Sequence, residues 1–149
     1  MKRTFSIVLL LIIIFSVATP ASAVENRECV FYQETDIGDG VVLIDEIIVY
    51  EQARTTTKAA TRTRTIKDDS VVIAVIAMKA TFRYDGSTVS VASKSVTQTD
   101  TYEGWSYKQN SFTSSGGTVT LDAKLTKLIF LNIPFAMTLS CGKDGNISY

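Results

Sequence analysis

Between Cys29 and Cys141 the chain is a succession of short runs rich in Val, Ile, Thr and Tyr, each closed by a turn cluster, and no other feature limits its fold as strongly. Residues 29–35 read as a first strand, ended by Asp36-Ile37-Gly38-Asp39-Gly40. Residues 42–52 follow, with Leu43, Ile47 and Val49 on one face and Ile44, Ile48 and Tyr50 on the other, the mark of a strand covered on both sides or nearly so. The most apolar stretch, 71–80 (VVIAVIAMKA), is short and β-branched as a central strand is, and its Lys79 argues against membrane insertion. It continues through 82–84, turns at Asp85-Gly86 and returns over 88–96, since Asp-Gly between alternating runs is a hairpin signal. Residues 102–112 carry Trp105, 114–117 form a turn, 118–125 a further strand and 133–141 the last. In that last strand Ile133, Phe135, Met137, Leu139 and Cys141 share one face. Seven or eight antiparallel strands with turns at intervals make an all-β sandwich or barrel. Leu121, Leu125 and Leu128 keep a helical spacing, so the second half of 121–131 stays open between strand and helical turn.

One run differs from its neighbours. Residues 54–67 are Thr-rich and carry Arg54, Lys58, Arg62, Arg64 and Lys67 without an acid. Threonine favours extended backbone and long cations discourage strand addition, so the pattern suits an exposed edge strand.

The N-terminus gives an address. Lys2 and Arg3 precede the apolar run 7–17, which leads through Thr19 and Pro20 to Ala21-Ser22-Ala23, the order of a secretory signal peptide cut after Ala23. The apolar core is shorter than the roughly 20 residues that a membrane span wants, and Pro20 breaks it. A bacterial lipoprotein requires a cysteine immediately after the cut, and the first one here is Cys29, several residues downstream. The expectation is a signal peptide over 1–23 and one domain over 24–149, released to the outside with no membrane contact after cleavage. Loss of Lys2 and Arg3 leaves thirteen basic and fifteen acidic residues, a net charge of −2, which argues against nucleic acid or an anionic surface held by bulk electrostatics.

Histidine is absent from the chain. There is therefore no Ser-His-Asp or Cys-His arrangement, no imidazole base and no His-containing zinc site. Paired carboxylates, a Ser-Lys dyad or an oxygen-ligated calcium site would be the remaining options; a carboxylate pair would be drawn from Asp45, Glu46, Asp100, Glu103 and Asp122, and no spacing singles out two of them. The expectation is a protein that is not an enzyme and holds no cofactor or metal. Asp36, Asp39 and Asp45 lack the register of a calcium loop. Asn146-Ile147-Ser148 matches a glycosylation acceptor, which matters only in a eukaryotic secretory route. The two cysteines, Cys29 and Cys141, stand near the ends of an exported domain and read as one disulfide tying the first strand to the last; the alternative is two buried free thiols.

The segments GDG at the first turn, ATFRYDGSTVSV at the hairpin, YEGWSY, GGTVTLDAKL and LSCGKDGNIS resemble those of a group of small exported proteins of Gram-positive bacteria with no assigned activity. The resemblance spans nearly all of 24–149 and rests on turn and core patterns. It implies a secreted, immunoglobulin-like β-sandwich and carries over no site residues.

Two surfaces are candidates for binding. Trp105 and Tyr107 alternate onto one face, with Tyr102 opposite, and flat aromatic rings suit a sugar or a peptide; equally, Trp105 is a core tryptophan packed near the disulfide. The cationic run with Arg54, Lys58, Arg62 and Arg64 would dock an acidic polymer or join copies of the protein, or it is a solvated edge neutralised by the eight acids of 25–51. The functional expectation is an extracellular protein or glycan as partner, with envelope assembly as the alternative and a carboxylate hydrolase as a remote third.

Overall fold

The computed structural model describes residues 25–52, 56–99, 101–128 and 131–149, and every regular element in them is a strand. These are β1 (Glu25–Gly38), β2 (Val41–Gln52), β3 (Thr57–Asp68), β4 (Val71–Tyr84), β5 (Val89–Gln98), β6 (Trp105–Ser115), β7 (Thr118–Lys127), β8 (Leu131–Cys141) and the two-residue β9 (Ile147–Ser148). The runs read from the sequence are these strands, lengthened at most ends. The signal segment lies outside the described residues.

Each strand pairs with the one before it except β6, where the chain leaves β5 and starts a second layer. The result is two antiparallel sheets in chain order, β1-β2-β3-β4-β5 and β6-β7-β8-β9. This corrects the immunoglobulin-like expectation, because that fold interleaves early and late strands between its sheets through Greek-key connections. Here one sheet is complete before the other begins. The open question over 121–131 resolves to strand up to Lys127, with Leu121 and Leu125 in the core and Leu128 turned out.

Between the layers, Ile47, Ile66, Ile76, Met78 and Phe82 of the large sheet meet Val119, Leu121, Leu125, Met137 and Leu139 of the small one, all fully buried. Each such side chain contributes about 1.5–3 kcal/mol of transfer free energy. The face shared by Ile133, Phe135, Met137, Leu139 and Cys141 is buried as the alternation requires.

The basic run is not an edge. β3 is hydrogen-bonded to β2 on one side and β4 on the other, the middle strand of five. Its alternation of Thr and Arg sends Arg62 and Arg64 inward with Ala60 and Ile66. Arg64 stands directly across from Asp45 of β2 in the register, and Arg62 across from Ile47. Arg64 grips the Asp45 carboxylate through Nη2–Oδ2 at 2.5 Å and Nε–Oδ1 at 3.0 Å, while Arg62 Nε reaches Oδ1 at 3.2 Å. The remaining donors cross to the other sheet, Arg62 Nη1 to the Thr138 carbonyl and Arg64 Nη1 to that of Ala136, both at 3.1 Å. The Arg64 guanidinium also lies 5.7 Å from the centre of the Phe135 ring.

Those two carbonyls explain why charge is buried here. β8 is bonded to β7 along its length but to β9 only at Ser140 and Cys141, which leaves the other edge of 132–138 open against the large sheet. Pro134 shares the parity of Ala136 and Thr138, so its missing N–H falls on that same edge, the place where a strand tolerates proline. The arginines satisfy the carbonyls that no strand does. Lys94 of β5 does the same for the other edge of the small sheet, donating to the Phe112 carbonyl of β6 at 3.0 Å. Burial alone would raise the Asp45 carboxyl, but hydrogen bonds and charge from Arg64 and Arg62 outweigh it and hold the group below its ordinary value.

The cysteines are free, which corrects the expected disulfide. Cys29 pairs with Ile48 on the outer face of the large sheet and is exposed, whereas Cys141 is buried between the layers. Because the side-chain period is two, the strand that would have to bring Cys29 to Cys141 turns it the opposite way. Each thiol instead donates to a nearby carbonyl, Cys29 to Phe31 at 3.5 Å and Cys141 to Gly142 at 3.4 Å. Burial, with Asp144 adding and Lys58 subtracting, raises the Cys141 thiol above its usual range.

Candidate functional site at one end of the sandwich

Strand order puts the connections β1–β2, β3–β4, β5–β6 and β7–β8 at one end, hereafter the upper end, and β4–β5, β6–β7 and β8–β9 at the other. The two ends are built from different chemistry.

The lower end is the more polar of the two, and its turns are bonded to one another. Asp85 accepts from the backbone N–H groups of Ser87 at 2.8 Å and Thr88 at 2.6 Å, and from the Thr88 hydroxyl at 2.9 Å. These backbone bonds lower its carboxyl below the usual value. Gly86 N–H donates to the Lys143 carbonyl at 2.9 Å, and Cys141 N–H to that of Gly117 at 2.8 Å, so neighbouring turns are tied together. A cleft of about 260 Å³ beside them is lined by Glu28, Glu51, Lys58, Asn146, Ile147 and Tyr149 among others. Lys58, predicted as part of a basic edge, is held there by Glu51 at 2.6 Å.

The upper end is apolar and open. Among the described residues, six of the nine large hydrophobic side chains that are exposed lie here: Ile37, Val71, Val72, Tyr102, Leu128 and Leu131. Leu128 is the extreme, 78% exposed and in the left-handed backbone region at φ 53°. That conformation costs an L-residue with a bulky side chain about 1–2 kcal/mol and is ordinarily given to Gly or Asn. A leucine that is both strained and exposed does nothing for the fold. Among the described residues, the four non-glycine positions with positive φ, Asp39, Asp69, Ser70 and Leu128, sit in these upper turns. Asp39-Gly40 and Asp69-Ser70 turn the β1–β2 and β3–β4 hairpins, the first with the Asp-Gly dipeptide that a primed turn prefers. The two hairpins are locked together by Asp69 N–H donating to the Gly40 carbonyl at 3.1 Å, and a side chain at Gly40 would collide with the Asp69 carboxylate.

Two clefts open between the layers at this end. One, of about 210 Å³, is bounded by Asp68, Asp69, Val71, Tyr102, Trp105 and Lys127. The other, of about 190 Å³, runs from Ile37 and Asp39 to Leu131 and Pro134. Among the predicted residues, Trp105 floors the first cleft but is only 5% exposed, with Lys127 Nζ 5.3 Å above its ring and 3.3 Å from Asp68. Trp105 is therefore a core residue whose edge reaches the surface. Tyr107 points inward too, half-buried and 6.5 Å from the Phe135 ring, and its hydroxyl finds no partner among the described residues. Burial raises that phenol above its ordinary value. Tyr102 alone of the three is presented, at 57% exposure, held by backbone bonds from its N–H to Ile73 and from Trp105 to its carbonyl, both 3.0 Å. The aromatic surface expected of Trp105 and Tyr107 is thus not assembled, whereas Tyr102 joins an apolar end that the sequence reading did not group.

The other candidates disperse. Arg54 and Asp100 lie outside the described residues. Asp45 belongs to the arginine seam, remote from the exposed Asp36 and Asp39 of the proposed calcium set, and Glu46 faces the opposite side of β2. Asp122 faces out and accepts from Asn110 at 2.8 Å. Asn146 donates to Asp144 at 2.5 Å. No family model, curated protein or solved structure matches the chain.

Proposed function

We propose that this chain is an exported, non-catalytic β-sandwich protein that binds an extracellular macromolecule through its upper end. The observation that carries the reading is the asymmetry between the ends: among the described residues six large apolar side chains are left in water at the upper end, against Val30 and Tyr149 at the lower cleft. Large apolar side chains concentrated in this way at one end of a molecule mark an interaction site. The secretory order of residues 1–23 and the dearth of catalytic groupings support an extracellular binding role over an enzyme. The assembly alternative loses its basis at 54–67, because β3 offers no free edge for another copy to join.

The test uses Trp105 as reporter, since it floors the upper cleft. Peptide and glycan fractions from the producing cell's medium or envelope are titrated against the purified protein. A saturable change in tryptophan emission that Tyr102→Ala removes supports the reading. A change that persists in Tyr102→Ala and disappears in Asn146→Ala, at the lower cleft, would refute it. N-terminal sequencing of protein from the medium should begin at Val24.

A further inference from the structure

Resting on that reading, the charge around the upper end narrows the partner. The connections there carry Asp36, Asp39, Asp69 and Glu103, all exposed, and Asp68, which is paired to Lys127. The cations beside them are Lys127 and Lys67, the latter directly across from Val72, so carboxylates outnumber cations there by five to two. An apolar surface ringed by carboxylates repels anionic lipid headgroups and anionic glycans, and attracts a chain that carries both hydrocarbon and positive charge. A neutral sugar would stack on Tyr102 yet make no use of the acids. Lys127 lines one cleft and Leu131 the other, and the exposed Leu128 follows Lys127 directly in the chain.

We propose that the upper end takes a cationic, amphipathic polypeptide segment, its apolar side chains entering the two clefts and its lysines or arginines meeting Asp39, Asp69 and Glu103. The locked hairpins present the acids in a fixed arrangement, so that little ordering is required on binding. The selectivity lies in the pairing of features: an acidic peptide is repelled and a basic peptide without hydrocarbon gains only the screened charge term.

The experiment uses the purified protein and a fluorescein-labelled peptide with leucines on one face and lysines on the other. Two control peptides replace every lysine by glutamate or every leucine by serine. Vesicles of phosphatidylcholine, with and without phosphatidylglycerol, test for a membrane. The expected result is saturable binding of the Leu/Lys peptide at low salt, about tenfold or more tighter than either control, and weakened about tenfold near 0.3 M salt. Leu128→Asn and the pair Asp39→Asn with Asp69→Asn keep residues that accept positive φ, so these variants fold; each should weaken the peptide at least severalfold, while Asp144→Asn at the lower end changes nothing. Equal binding of the glutamate peptide, or tight binding to vesicles in place of peptide, overturns this partner class. If vesicle binding is then lost in Leu128→Asn, the upper end stands as the interaction surface with the wrong partner assigned. If the peptide binds and no upper-end variant weakens it, both readings fall.

Discussion

The seam along β8 and the upper end depart from the ordinary partition of side chains in opposite directions. At the seam, Asp45, Arg62 and Arg64 are taken out of water, and every one of them has partners inside the molecule: the arginines bond the carboxylate and the open carbonyls of the facing sheet. At the upper end, six large apolar side chains are left in water, and no described element covers them. The contrast separates two kinds of irregularity. A departure that is compensated within the chain belongs to architecture, and one that is not compensated points outside it.

The sharpest way to break that comparison is to disturb the seam. Asp45→Asn leaves two buried guanidinium groups with carbonyls but no counter-charge, and removing one partner of such a set costs about 3–5 kcal/mol. Urea unfolding should show a loss of that order. A cost below about 1 kcal/mol would mean that the seam is ornamental.

Acid probes the same group without mutation. The folded Asp45 carboxyl lies below its ordinary value, so its contribution is complete above the unfolded pKa of about 3.9 and is lost as pH falls through the lower folded value. Unfolding midpoints should therefore decline below about pH 4, and Asp45→Asn should lack that part of the decline. An identical acid profile in the variant would show that other carboxylates carry it.

Lys94→Met is the milder counterpart at the opposite edge of the small sheet. It removes one charged donor from the Phe112 carbonyl and the cation from above the Phe112 ring, 4.7 Å away. The expected loss is about 1 kcal/mol, because this edge is partly exposed and water can replace the lysine.

Much of this architecture was legible in the residues, and what was not has a definite cause. Strand positions followed from alternation and turn dipeptides, which are local. The facing of β3 was not local. Its four cations, Lys58, Arg62, Arg64 and Lys67, look like an edge in isolation, and the sign of the opposite answer lay in another strand, where Asp45 interrupts the apolar face Leu43, Ile47, Val49 and so demands a buried partner. Cysteine pairing failed for a related reason: chain position near both ends suggested a bridge, while the parity of Cys29 within β1 sent its thiol outward. The upper end was invisible because it is assembled from four separate turns. Of its six apolar residues only Tyr102 reads as a binding residue from the sequence, and it does so as the neighbour of Trp105.

The central claim is that the apolar upper end serves something other than folding. Its most direct test is urea unfolding of the combined variant Val72→Thr, Tyr102→Ser and Leu128→Asn. The account predicts a stability within about 0.5 kcal/mol of the parent, or above it once Asn relieves the left-handed leucine. A loss of about 2 kcal/mol or more would place these residues in the folding core and contradict it.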